Sequence, residues 1–209
     1  VMAISEFSLT PRGILQDQSL INKKFNNLPF TQREIYSLSK YFNNNKLLLS
    51  NKANEEELKK LNLKNFDIIA FATHAAVSGT LKGFNEPFLV LTPPKIASEL
   101  NDGILTASEI SKLQLNTKLI LLSACNTASK ENEYSPGFSG LVAAFIRAGA
   151  QNVLATHWQV ADKASSIMII ETLKKAINNK LDLAQSLQAT KKEFIQGKYG
   201  EKYKNPSYW

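Results

Sequence analysis

The sequence predicts an α/β fold with a mostly parallel central sheet and helices on both faces of that sheet. Three short, almost wholly apolar segments, at residues 67–73, 118–124 and 152–156, are typical of strands buried on both sides. Segments with helical spacing of apolar residues lie between them, which favours parallel strands joined by helical crossovers. The chain has 209 residues, of which 44% are hydrophobic. This is ample for one domain with a real hydrophobic core.

The first third of the chain contains an irregular segment and two helices. Residues 1–30 show no long periodic pattern and are predicted to be irregular. Thr31 and Glu34 form a capping-box pattern, which predicts a helix over residues 31–42. The further elements predicted here are a strand over residues 46–49 and a helix from its cap Asn54 to near Leu61.

Capping signals also define helices in the rest of the chain. Thr106 and Glu109 form a second capping box, and Gly149 is predicted to end the helix that precedes it. Asp102 is interpreted as a turn residue before Gly103 rather than a catalytic group. The remaining predicted elements are a strand over residues 88–91 and helices over residues 106–112, 138–148, 161–178 and 183–194.

The composition excludes several kinds of site. A single cysteine excludes a disulfide framework, a multi-thiolate zinc site and an iron–sulfur cluster, and two histidines argue against a His-rich metal site. No apolar run approaches the roughly 20 residues that cross a bilayer, and the start lacks a signal-peptide pattern. Glycine-rich phosphate loops and a G-x-S-x-G elbow are also absent. We therefore expect a soluble, cytoplasmic protein with no membrane partner.

The net charge of +7 raises the question of whether the chain binds nucleic acid. Most of the excess lies in residues 174–209, which contain eight lysines and three acidic residues. No base-stacking aromatic array, of the kind that single-strand binders show, is interleaved with these lysines. A solvated helical face is therefore the favoured interpretation, and nucleic-acid binding is not expected.

Two chemically reactive residues follow the ends of buried strands. His74 lies one step beyond the first apolar segment and Cys125 one step beyond the second. In open parallel sheets functional groups gather at the carboxyl ends of the strands. A nearby imidazole promotes the thiolate and can protonate a leaving amine. Alternatively, Cys125 is a small core residue and His74 a satisfied polar group, but their equivalent placement favours a functional pair.

Two other sequence features bear on this candidate pair. His157 also follows a predicted strand, but the bulky Trp158 comes next, so a structural role is favoured for this histidine. The polar loop over residues 126–137 directly follows Cys125. Loops of this kind carry function, and we expect this one to bind substrate or respond to activation.

The chain resembles the CHAT domain, a caspase/separase-like cysteine peptidase domain often fused to tetratricopeptide repeats. The resemblance covers roughly residues 28–209, with residues 1–27 as an N-terminal flank, and seven pieces occur in the right order. They are Leu28-Pro29-Phe30 with Glu34, Asp67 to His74, Asp102 to Ile110, Leu121 to Thr127, Phe138 to Ala150, Trp158 with Val160 and Asp162, and Pro206 to Trp209.

This resemblance implies a caspase-like fold and a cysteine–histidine dyad. Cys125 is then the nucleophile and His74 the general acid/base. The backbone N–H groups of Cys125 and Ala75 would form the oxyanion hole, which stabilises developing negative charge. The family usually has glycine in the place of Ala75, and a methyl group there keeps the N–H but is expected to narrow the approach of a substrate. No metal or organic cofactor is implied.

The resemblance also implies a substrate and a partner. Asp162 matches an acidic position that receives a basic P1 side chain, the residue before the cleaved bond; its alternative role is the N-cap of the following helix. The expected function is hydrolysis of a protein or peptide substrate under control of a tetratricopeptide-type sensor. The alternative is a catalytically silent protein-interaction module. The chain is also expected to end before the last strand of the family.

Overall fold

The computed structural model describes residues 2–5, 31–81, 83–93, 98, 101–123, 137–156, 160–179 and 181–209. These residues include eight strands and six α-helices. The strands are β1 (Met2–Ser5), β2 (Lys46–Leu49), β3 (Ile68–Ala72), β4 (Ala75–Ala76), β5 (Phe88–Val90), β6 (Ile104–Thr106), β7 (Leu119–Leu122) and β8 (Val153–Ala155). The helices are α1 (Thr31–Ser39), α2 (Glu55–Lys59), α3 (Ala107–Ile110), α4 (Gly137–Ala148), α5 (Asp162–Asn179) and α6 (Leu183–Ile195). No helix of this part of the chain is long and apolar enough to span a membrane.

The central sheet has five strands in the order β2-β1-β3-β7-β8, and all four pairings are parallel. The predicted mostly parallel sheet is therefore confirmed. Parallel strands need long crossovers, and helices α1, α2 and α4 provide three of them. The strands at the centre are buried on both faces, as their continuous apolar sequences predict.

Helices cover both faces of this sheet. On one face α2, α3 and α4 pack against a large core that includes Phe71 of β3 and Phe145 of α4, whose ring centroids lie 5.4 Å apart. On the other face α1 and α5 pack against a second core around Ala70 and Leu121. Alternate residues of β3 and β7 thus serve opposite cores, which is the period of two of a strand.

Local capping defines the helix ends where the sequence predicts them. Asn54 accepts a hydrogen bond of 2.8 Å from the Glu57 N–H at the start of α2. Thr106 and Glu109 form the predicted reciprocal capping box of α3. Gly149 has φ +110° after α4, and a Cβ there would collide with the carbonyl oxygen of Leu115. Only glycine fits this position without strain.

The prediction that residues 1–30 are irregular is wrong for the first few of them. Residues 1–30 are predicted to be irregular, and Met2–Ser5 lies within the predicted flank, yet it forms β1 between β2 and β3. Met2 and Ile4 are fully buried in the core. A four-residue strand is too short to show a period, and its assignment depends on partners more than 40 residues away in sequence.

A second, antiparallel sheet of order β4-β5-β6 follows β3 in the chain. Only β5 is predicted from the sequence. Ala75 pairs with Leu89 and Ala76 with Phe88, while Phe88 to Val90 pair with β6. The chain thus leaves the central sheet after β3 and enters the small sheet at once. Asp102 is confirmed as a turn residue, since its side chain accepts a 2.7 Å hydrogen bond from the Ile104 N–H.

Candidate functional site

His74 lies at the junction of the two sheets, between the end of β3 and the start of β4. Its backbone is held by β5, because the Val90 N–H donates a 2.9 Å hydrogen bond to the His74 carbonyl oxygen. The hydroxyl of the preceding Thr73 donates to the Val90 carbonyl oxygen. His74 is 5% exposed and Thr73 is fully buried. Both backbone groups of one β5 residue therefore fix the position of this histidine.

The neighbouring strand β7 ends at the same edge of the sheet. Phe71 of β3 lies opposite Leu122 of β7, and the Ser123 N–H extends the ladder by a 2.9 Å hydrogen bond to the Phe71 carbonyl oxygen. His74 stands three residues after Phe71, and Cys125 three residues after Leu122. The two strands are thus neighbours, as the functional-pair hypothesis requires. Cys125 itself lies outside the described residues, together with the loop that follows it.

A buried polar cluster surrounds the end of β7. The Ser123 hydroxyl donates a 2.8 Å hydrogen bond to Oε2 of Glu34 in α1. The Ser123 and Ser165 hydroxyl oxygens are 3.4 Å apart, and Ser165 belongs to α5. The side chains of all three residues are buried. This cluster joins both helices of one face to the residue that stands two positions before Cys125.

Sequence reasoning did not predict this cluster as a unit. Glu34 is part of a predicted capping box, and both Glu34 and Ser123 lie in pieces of the family resemblance, but neither pattern pairs them with each other or with Ser165. Glu34 and Ser123 are 89 residues apart in sequence. Local patterns describe partners a few residues away, so an interaction across this separation leaves no trace in them.

Ala75 belongs to an outer strand of the small sheet. Along an antiparallel strand, successive residues direct their backbone groups to opposite edges. The His74 carbonyl accepts from β5, so the N–H of Ala75 is directed away from β5. Within the described residues β4 has β5 as its one neighbouring strand.

The methyl group of Ala75 lies in the main hydrophobic core with Leu89, and the residue is fully buried. Among the described non-glycine residues only Ser50 has a positive φ. The backbone at Ala75 therefore needs no glycine. The N–H and the methyl group point to different parts of the molecule, which bears on the departure of this position from the family pattern.

Of the other residues that the sequence singles out, the structure describes the backbone of Asp162. Asp162 is the first residue of α5, one helical turn before Ser165, and its side chain is not described. His157 falls outside the described residues. No group of three or more His, Cys, Asp or Glu residues suited to a metal ion occurs in the part of the chain that the structure describes.

An apolar pocket of about 120 Å³ adjoins the ends of β7 and β8. Its walls include Leu122, which precedes Ser123 in sequence, and Ser165, whose hydroxyl oxygen lies 3.4 Å from that of Ser123. Thr156 and Val160, beyond β8, also line it. The pocket offers space for an apolar side chain beside the candidate site. A larger, open depression lies at the amino ends of β2, β3 and β7, which is the opposite edge of the sheet.

Four of the eight lysines in residues 174–209 form ion pairs within the described part of the chain. Glu193 forms ion pairs of 2.7 Å with both Lys175 and Lys198, and Lys204 pairs with Glu201 at 2.7 Å. Burial acts to raise the pKa of Glu193, but hydrogen bonds from Lys175, Lys198 and Tyr199 outweigh it and lower this pKa to about 2. These pairs favour a solvated helical face over a nucleic-acid-binding patch.

Comparisons with known proteins place these features in a family. A family model described as "CHAT domain" matches residues 6–209. Tetratricopeptide repeat protein 28 of Homo sapiens is 24% identical over 209 aligned residues, which cover 87% of this chain and 8% of that protein. The Mus musculus protein of the same name is 26% identical over 149 residues, covering 66% of this chain and 6% of that protein. The chain therefore spans less than a tenth of the length of these relatives.

Proposed function

This chain belongs to the CHAT domain family, and from this premise we propose that it is a cysteine endopeptidase domain. It would hydrolyse peptide bonds of a protein substrate through a dyad of Cys125 and His74. The observation that supports this most is the pairing of Phe71 with Leu122, extended by the Ser123 N–H. Each of the two reactive residues follows its paired strand residue by three positions, at one edge of one sheet.

The proposed reaction has two stages. His74 takes the thiol proton of Cys125, and the sulfur attacks the carbonyl carbon of the scissile bond. The N–H groups of Ala75 and Cys125 stabilise the oxyanion of the tetrahedral intermediate. The imidazolium then gives its proton to the leaving amine, and a thioester remains. In the second stage His74 removes a proton from water, and the hydroxide attacks the thioester carbonyl. The carbon–sulfur bond then breaks, the imidazolium returns its proton to the Cys125 sulfur, and the carboxylic acid product leaves.

We further propose that Asp162 contributes to the S1 pocket, which receives the P1 side chain, and that it favours lysine or arginine. Asp162 begins α5 one turn before Ser165, and Ser165 lies 3.4 Å from the strand-end residue Ser123. A carboxylate at this place would attract a cationic side chain. The apolar pocket beside it favours a residue such as leucine instead, so the two predictions for P1 compete directly.

A tetratricopeptide-type sensor region is the proposed regulator. Its support is that the two relatives are named tetratricopeptide repeat proteins and are more than ten times longer than the matched part. His74 is only 5% exposed, so a substrate needs a change at the site to reach it. We propose that the sensor, attached or bound, causes this change.

The alternative is a catalytically silent CHAT-like protein-interaction module. The burial of His74 is the observation that favours it, because a general base must contact its substrate. In that case the strand-end residues serve the fold, and binding of a partner survives Cys125→Ala.

The test uses acyloxymethyl-ketone peptides with Lys, Arg, Asp or Leu at P1. The chain contains one cysteine, so thiol labelling reports on Cys125 alone. It also contains two histidines, so His157→Ala is the matched control for His74→Ala. We expect labelling that Cys125→Ala abolishes, His74→Ala strongly reduces and His157→Ala leaves unchanged.

The same panel separates the rival explanations. It is run with the 209-residue chain and with the longer protein that carries the sensor region. Labelling that is equally fast in His74→Ala would overturn the dyad. Absence of labelling in the longer protein as well would favour the interaction module. A preference for Lys or Arg that is lost in Asp162→Asn would support the role of Asp162, whereas a preference for Leu would contradict it.

A further inference from the structure

Glu34 is an acidic residue in the interior of the protein, with 1% of its surface exposed. A buried carboxyl group is costly unless polar partners compensate for the lost water. Oε2 of Glu34 accepts the 2.8 Å hydrogen bond from the Ser123 hydroxyl. The carboxylate of Glu34 in α1 is thus hydrogen-bonded to Ser123, the residue that follows β7.

Ser123 is held from three directions at once. Its N–H donates to the Phe71 carbonyl oxygen in β3 at 2.9 Å. Its hydroxyl bonds Glu34 of α1 and lies 3.4 Å from the Ser165 hydroxyl of α5. Ser123 is the last described residue before Cys125, which follows two positions later. The orientation of the chain as it leaves β7 is therefore fixed by a strand and two helices.

We infer that Glu34 is a positioning residue, which acts through Ser123 to fix the direction in which the chain enters the Cys125 segment. The inference rests on the proposed peptidase function and adds a residue to it. A nucleophile displaced by about 1 Å loses roughly 100-fold in rate. A rigid strand end close to the nucleophile is the means by which the fold avoids such a loss.

Three substitutions test this role by the kinetics of labelling with the best probe of the panel. Glu34→Leu removes the acceptor, and Ser123→Ala removes the donor with little change of shape. We expect each to lower the maximal rate constant of labelling by about 100-fold and to leave the half-saturating probe concentration unchanged. Glu34→Gln keeps a carbonyl oxygen that accepts from Ser123, and we expect it to retain most of the rate.

The double variant Glu34→Leu/Ser123→Ala tests whether the two residues act as one unit. Each single variant removes the hydrogen bond between the two residues, so the loss of rate in the double variant should fall well below the product of the two single losses. A product of the two losses would overturn the inference, since Glu34 would then act independently of Ser123.

The fraction of molecules that become labelled separates a positioning role from a purely structural one. Unfolded protein reduces the fraction of molecules labelled, whereas displacement of Cys125 lowers the rate constant of the folded fraction. Glu193→Leu is the control for loss of a paired acidic residue, because Glu193 bonds Lys175, Lys198 and Tyr199 and no residue of β3 or β7. We expect it to lower the melting temperature with no change of the rate constant.

The outcomes distinguish this inference from the proposed function. Wild-type labelling that does not depend on His74 would contradict the dyad itself. Wild-type labelling that needs both Cys125 and His74, with a normal rate constant in Glu34→Leu and Ser123→Ala, would overturn only the positioning role.

Discussion

Glu55 of α2 and Gly103, in the turn before β6, are joined by a hydrogen bond of 2.8 Å from the Gly103 N–H to Oε2 of Glu55. The same oxygen accepts from the Asp102 N–H at 2.9 Å, and Lys59 pairs with the other oxygen at 3.0 Å. Burial raises the pKa of Glu55, although Lys59 and the Gly103 N–H act to lower it. This contact fastens the small sheet, whose strand β5 holds His74, to the helices on one face of the central sheet.

Gly103→Ala should destabilise the protein through this turn. Gly103 has φ +92°, and an added Cβ would lie 2.9 Å from the Pro93 Cα. We expect the free energy of unfolding to fall by about 1–3 kcal/mol, because both backbone strain and crowding oppose the methyl group. Urea unfolding followed by circular dichroism measures this change.

Gly79→Ala is the matched control for that substitution. Gly79 has φ +78° with no atom within 4 Å of the added Cβ, so it adds strain without crowding. We expect a smaller loss than at Gly103. Equal losses at the two positions would mean that the contact with Pro93 relaxes and that crowding contributes nothing.

The helix caps show which parts of this fold are readable from sequence. Asn54 bonds the Glu57 N–H and Thr106 forms its box with Glu109, both within three residues. Hydrogen bonds between residues so close in sequence follow from the local residue pattern, so the sequence alone predicts them. The sequence does not predict β1, β4 and β6, because segments of two to four residues show no period and only pairing with other strands makes them strands.

The candidate site likewise has features that the sequence predicts and features that it does not. The expectation that His74 follows a buried strand is confirmed, and β3 and β7 are neighbours, whereas the place of Cys125 stays a prediction. The partner of Ser123 was missed because 89 residues separate it from Glu34. Only the packing of α1 against the sheet brings these two side chains together.

The Glu193 cluster predicts acid sensitivity. The pKa of Glu193 is lowered from 4.5 to about 2 in the folded protein, so the unfolded chain binds more protons as the pH falls below 4.5. The stabilisation is complete above this pH and is lost towards pH 2. After discounting for solvent screening, we expect Glu193→Gln to lower the free energy of unfolding by about 1–2 kcal/mol at neutral pH.

Urea unfolding at several pH values checks this prediction. The difference between wild type and Glu193→Gln should shrink as the pH is lowered from 4.5 towards 2. Glu201→Gln is the control, since its partner Lys204 and its own side chain are well exposed. A Glu193→Gln difference that does not vary with pH would show that packing, rather than charge, is its cause.

Thr73→Val should impair the placement of His74. The hydroxyl of Thr73 donates to the Val90 carbonyl oxygen, and the Val90 N–H donates to His74. Valine has the same shape without the donor, so we expect a loss of about 1–2 kcal/mol in stability and about a tenfold lower rate constant of Cys125 labelling. The quantities to measure are the unfolding free energy and the labelling kinetics.

Thr92→Val is a close control for that variant. The Thr92 hydroxyl donates a 2.8 Å hydrogen bond to the Ser50 carbonyl oxygen and is also buried. We expect a similar loss of stability with an unchanged labelling rate constant. If both variants slow labelling equally, general loosening of the fold explains the effect and Thr73 has no special relation to His74.

Ala75→Gly tests whether the departure from the family pattern limits the proposed reaction. The methyl group of Ala75 lies in the core beside Leu89, while its N–H is directed away from β5. Removing the methyl group should therefore cost roughly 1 kcal/mol of stability through chain entropy and lost packing. It should change the labelling rate constant less than about twofold, because the N–H stays in place. A gain of about tenfold or more would instead mean that the methyl group narrows the approach of a substrate, as the sequence comparison with the family first predicts.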